Sequence, residues 1–136
     1  MAERLTDDEI EARAILAYVL VAEGKTADAQ AEINSAQKLV KKSQNALTRL
    51  KLQIIAARQR ARTNTVEAKD RLETILSDAT KYGFIGYELE AKLALGEIEM
   101  NSGKTTAGRL HLASLQKEAM ASGFLSISRK AGAASK

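Results

Sequence analysis

Two stretches end in the triplet that closes a phosphate-binding loop. They are Gly24-Lys25-Thr26 in "VAEGKTADA" and Gly103-Lys104-Thr105 in "EMNSGKTTAG". A P-loop wraps phosphates in backbone N–H groups, which requires an earlier glycine five residues ahead of the second, after a buried strand. Val19 and Ile98 occupy those places, and Gly96 stands too early. A helical pattern, not a β-branched run, precedes each triplet. The triplets therefore read as punctuation: Gly stops one helix, Lys sits near its C-terminal dipole, and Thr caps the next helix.

His111 is the only histidine, and there is no cysteine. A zinc site beside it would have carboxylates alone for company. As a general base it would need a nucleophile and an orienting acid within reach; the local spacing supplies neither, so a surface or packing role is expected. Glu88, Glu90, Glu97 and Glu99 crowd one predicted helix. Glu90 and Glu97 share a face while Glu88 and Glu99 lie elsewhere, which suits a solvated face better than an acid–base pair. Glu88 and Lys92 form a routine i,i+4 pair. The expectation is a non-enzyme with no catalytic residue, no metal site and no cofactor.

Charge is unevenly spread. Residues 1–37 carry a net −5, residues 38–71 a net +8 and residues 72–136 a net +1. Arg49, Lys51, Arg58, Arg60 and Arg62 form the basic patch, all within "LTRLKLQIIAARQRAR". The patch reads first as a solvated helix surface. An acidic peptide or protein, held by bidentate arginine contacts, comes next. Nucleic acid is a third reading through phosphate neutralisation. It is disfavoured by an aromatic content of 4%, too sparse for base stacking.

The elements that carry these residues follow from composition and period. A chain of 136 residues with 45% hydrophobic side chains can build one domain with a real core. It has no proline and no tryptophan, so the core must come from aliphatic residues on uninterrupted helices. "MAERLTDDEI" lacks the apolar region of a signal peptide, and no apolar run reaches membrane-span length. A cytoplasmic location without membrane contact is expected.

The sequence repeats. "EGKTADA", "RTNTVEA" and "SGKTTAG" align at Lys25, Asn64 and Lys104. In register after them come Ile33, Leu72 and Leu112, then Ala36, Ile75 and Leu115, then Val40, Ala79 and Ala119. Steps of three and four residues mark one helix face. Upstream, Leu16, Ile55 and Leu95 align, each followed by a small residue: Ala17, Ala56 and Gly96. This predicts helices over 7–22, 27–42, 46–62, 66–81, 86–101 and 105–121. Thr6 with Glu9 and Asn64 with Glu67 read as capping boxes. Gly24, Gly83, Gly103 and Gly123 read as helix stops. Phe124, Ile127 and Ala131 predict a short closing helix over 125–132, stopped by Gly132.

The pattern in "LAYVLVAEGKTADAQAEINSA" and "LALGEIEMNSGKTTAGRLHLASL" resembles the tetratricopeptide repeat family. The third repeat places Leu95, Gly96, Gly103, Gly108, Leu112 and Leu115 at the family's positions. The unit runs to about 40 residues rather than 34, as in extended arrays of bacterial signalling and regulatory proteins. The closing proline is absent, and Leu20, Gln59 and Glu99 replace the late aromatic of the first helix. The resemblance implies an all-α solenoid of αα-hairpins: three repeats, about 7–45, 46–84 and 85–124, with a short C-terminal cap, in one domain spanning 1–136.

The resemblance further implies a protein-interaction scaffold or adaptor that takes a peptide or helix in a groove lined by the first helix of each hairpin. Tyr18, Val21, Gln53, Arg60, Glu97 and Met100 are then the expected contacts. The alternatives are an acidic-surface or nucleic-acid partner for the basic patch, or a self-associating array or piece of a larger regulatory protein. A helical solenoid exposes the apolar face of its last repeat, so homo-oligomers through solenoid ends are also expected.

Overall fold

The computed structural model describes residues 2–136, with side chains described from Arg4 onward. The described residues form seven α-helices and no strand. They are α1 (Ala2–Ala22), α2 (Thr26–Val40), α3 (Ala46–Arg60), α4 (Thr65–Tyr82), α5 (Ile85–Asn101), α6 (Thr105–Ala121) and α7 (Leu125–Ala134). No helix among the described residues is long and apolar enough to cross a membrane.

The helix ends correct three sequence expectations. Thr6 lies inside α1, which already begins at Ala2. The good helix formers ahead of Thr6 extend the helix past the expected capping box. Lys25 and Lys104, not the threonines, occupy the N-cap positions of α2 and α6, without a side-chain cap bond. The linker is too short for Thr26 or Thr105 to stand outside its helix, so each becomes the first helical residue. The third correction is Gly132, which lies within α7 and does not stop it.

Other ends match. Asn64 Oδ1 accepts from the Glu67 N–H at 3.0 Å. Gly24 and Gly103 have φ of 77° and 86°, the left-handed conformation that ends a helix at little cost only for glycine. Gly83 and Gly123 repeat the geometry.

The chain divides into two compact units, with the boundary between Thr63 and Asn64. This boundary falls in the turn of the expected middle hairpin.

In the first unit α1 packs on α2 and α3, and α2 packs on α3. The core joins Ile10, Ala14 and Ala17 to Ile33 and Ala36 and to Leu52, Ile55 and Ala56, flanked by Leu39 and Val40. Small residues on α1 let the helices approach closely. Two residues of the basic patch brace this unit: the Arg62 guanidinium donates to the Val21 carbonyl at the end of α1, and Arg49 donates to the Ser43 carbonyl at 3.0 Å. The Val21 carbonyl also accepts from the Gly24 N–H at 3.1 Å, so Arg62 adds a second donor at the end of α1.

In the second unit α5 packs on α4, α6 and α7, and α6 packs on α7. Its core gathers Leu89, Leu93, Leu112, Leu115, Ala119, Ile127 and Ala131, flanked by Met100, Phe124 and Ala134. Gly96 explains how close α5 and α6 come. A Cβ placed there would stand 2.5 Å from Leu112 Cδ2. At Gly108 a Cβ would meet Met100 Sδ at 3.0 Å and the Met100 backbone nitrogen at 3.1 Å.

The aligned apolar positions are buried as the period requires. Ile33, Leu72 and Leu112 are all 1% exposed or less. Ala36, Ile75, Leu115, Ala79 and Ala119 are buried too, and Val40 is half-buried. Leu16 departs from its counterparts: it is 45% exposed, whereas Ile55 is buried. The helix turns Ile10, Ala14 and Ala17 inward instead, and Leu16 lies off that face.

Candidate functional groove

Within the second unit α4 and α6 both pack on α5 but not on each other. The gap between them is a groove of about 420 Å³ floored by α5. Leu76 of α4, Leu95 of α5 and Leu115 of α6 line its apolar part. Polar side chains stand around them: Lys69 and Glu73 from α4, Lys92 and Glu99 from α5, and His111, Ser114 and Glu118 from α6. Helical spacing creates the arrangement. Lys92, Leu95, Gly96 and Glu99 recur at i, i+3, i+4 and i+7 on one face of α5. His111, Ser114, Leu115 and Glu118 do the same on α6.

Two polar contacts fix the α6 side. Lys92 Nζ donates to Glu118 Oε1 at 3.0 Å and lies 3.5 Å from Glu88 Oε1. The i,i+4 pair read from the sequence is therefore present, joined by a partner on the next helix. His111 Nδ1 lies 2.9 Å and 3.0 Å from the two Glu99 carboxylate oxygens. The Glu99 side chain is 11% exposed, whereas that of His111 is 65% exposed. A carboxylate only accepts hydrogen bonds, so Nδ1 carries the proton in this contact.

This is the orienting acid that the sequence spacing did not reveal. Glu99 and His111 are neighbours only because the Gly103 turn folds α6 back on α5. The pair can hold a base in one tautomer. Among the described residues the His111 side chain makes no hydrogen bond other than those to Glu99. Nor do three His, Asp or Glu side chains gather there as a metal-ligand set. The groove presents an apolar floor, the Glu99–His111 pair, and Lys69 and Glu73 on the α4 rim.

Long-range 1H–15N spectra of His111 should show Nδ1 as the protonated nitrogen in the neutral ring. Glu99→Gln should shift the tautomer population toward Nε2–H, because an amide oxygen is a weaker acceptor than a carboxylate. An unchanged tautomer ratio would remove Glu99 as the orienting group.

The sequence-derived contacts fall in both units. Tyr18, Gln53 and Arg60 are exposed and Val21 is half-buried, all in the first unit. Glu97 and Met100 are half-buried in the second, and Met100 packs against its core. Neither Glu97 nor Met100 lines the groove, and Met100 packs against Gly108 of α6 instead. Arg49, Lys51, Arg58, Arg60 and Arg62 all lie in the first unit, and Arg60 and Arg62 are the exposed members.

Comparison of the chain with protein families, with curated proteins and with solved structures finds no match.

Proposed function

We propose that this protein is a non-enzymatic protein-interaction module built from three tetratricopeptide-like hairpins, and that it holds a peptide or short helix of a partner in the groove between α4 and α6. The observation that carries this reading is the groove itself, with an apolar floor between two charged rims. Such a floor supplies affinity, while the rims set orientation and encounter rate. Lys69 and Glu73 make no hydrogen bond or ion pair with other described residues, so they meet a ligand without breaking an internal contact. The buried positions recurring at the repeat interval support the hairpin-repeat reading. Tyr18, Val21, Gln53 and Arg60 are a second candidate surface in the first unit, on the analogy with the family's groove; Glu97 and Met100, the remaining positions of that analogy, lie in the second unit.

A peptide library displayed on phage and selected against the full chain tests the proposal. Selected peptides should bind saturably, and Leu95→Glu should weaken them at least tenfold, because it sets a carboxylate in the apolar floor beside Glu99. Tyr18→Ala should leave them unchanged. Loss of binding in Tyr18→Ala with full binding in Leu95→Glu would move the site to the other surface. Failure to select any saturable peptide would contradict the module reading.

A further inference from the structure

The helix α1 is apolar on two sides. Ile10, Ala14 and Ala17 face the core of the first unit. On the opposite side Leu5, Ile15, Leu16 and Val19 are 65%, 54%, 45% and 42% exposed. An exposed apolar stripe beside a packed one is a surface that a partner can cover. Asp8, Glu9 and Glu11 are exposed along the N-terminal half of this outer side, with Arg4 the one exposed cation among them. The face is therefore acidic at one end and apolar at the other.

The outer face of α7 is its complement. The inner residues Ile127, Ser128 and Ala131 are buried. On the other side Leu125 is 55% exposed, followed by exposed Arg129 and Ala133, with exposed Lys136 just past the helix. This face is apolar at its start and basic toward its end.

We propose that the outer face of α1 receives the outer face of α7 from a second copy of this chain, with the two helices antiparallel. At about 1.5 Å per residue, that direction sets Leu125 beside Leu16 and Val19, Arg129 within reach of Glu11, and Lys136 near Asp8. A parallel pairing would place Leu125 against Asp8 and Lys136 against Val19. An antiparallel pairing of α1 with a second α1 would set the acidic half of each helix against the apolar half of the other, leaving its carboxylates without a cation. Charge complementarity thus selects the occupant. Each copy carries both faces, so association grows with concentration.

Sedimentation velocity of the full chain tests this. The weight-average mass should rise with concentration, and rise less at high salt. Ile15→Lys/Val19→Lys on α1 and Leu125→Asp/Arg129→Glu on α7 should each be monomeric with unchanged helical circular dichroism, since all four positions are exposed. Mixed in equal amounts, these two variants should form a 1:1 dimer and nothing larger, because one intact α7 face meets one intact α1 face. Ala133→Glu repeats the α7 test at a third position. A wild type that stays monomeric at every concentration overturns the proposal. So does an α7 variant that still self-associates, or a mixture that stays monomeric.

Discussion

Leu112→Ala should lower the unfolding free energy by about 2–5 kcal/mol, and Gly96→Ala by about 1–3 kcal/mol. Together they should cost clearly less than the sum. Leu112 is 1% exposed and joins α6 to α5 in the core of the second unit. Truncating it removes apolar contacts and leaves a cavity. A methyl on Gly96 would stand 2.5 Å from Leu112 Cδ2 and 2.7 Å from its Cγ. Leu112 is too deeply buried to swing away cheaply, so α5 and α6 must part. Alanine's better helix propensity offsets about 1 kcal/mol of that cost. In the double variant the methyl enters the space that Leu112 vacated, and the clash is gone. Urea denaturation of the four proteins gives the coupling directly. Additive losses, or a Gly96→Ala protein more stable than wild type, would show that the close approach of these helices does not hold the hairpin together.

Ile10→Ala should cost about 2–5 kcal/mol, whereas Ile15→Ala should change stability by no more than about 0.5 kcal/mol. The two residues share a helix and a side chain, and differ only in where they point. Ile10 is 0% exposed among Ala14, Ala17 and Ile33, while Ile15 is 54% exposed on the other face. Thermal or urea unfolding at low protein concentration, where self-association does not contribute, measures the contrast. Equal losses would mean that α1 is held by both faces within one molecule. That outcome would also weaken the outer face of α1 as a docking surface for a second copy.

The helix period was the legible part of the sequence. Ile33, Leu72 and Leu112 recur at intervals of 39 and 40 residues, each on the inward face of its helix, and all three are buried. The stop glycines were legible for an equally local reason: only glycine takes a positive φ cheaply there. The threonine caps were misread because cap position depends on linker length to the residue, and Gly-Lys-Thr leaves none to spare. Leu16 shows a different failure. Repeat alignment gives a position in the unit, but burial depends on which neighbours are present beside it.

The groove was less legible, because its chemistry is assembled across turns. Glu99 looked like one carboxylate of a solvated face and His111 like an isolated ring. Their 2.9 Å contact exists only once α6 has folded back on α5. One signal was available. Counting six residues outward from Thr105 on both arms of the hairpin brings Glu99 and His111 opposite each other. The basic patch shows the same limit. Local sequence places five cations together, but the donation of Arg49 and Arg62 to the backbone carbonyls of Ser43 and Val21 is visible only in the folded unit.

The most direct test of the central claim is a map of amide and methyl shifts in the full chain during titration with a selected peptide. Binding in the α4–α6 groove predicts the largest perturbations at Lys69, Glu73, Leu76, Leu95, His111 and Ser114, with the side-chain nitrogens of His111 moving as well. Perturbations confined to Tyr18, Gln53 and Arg60, with the groove residues silent, would contradict it.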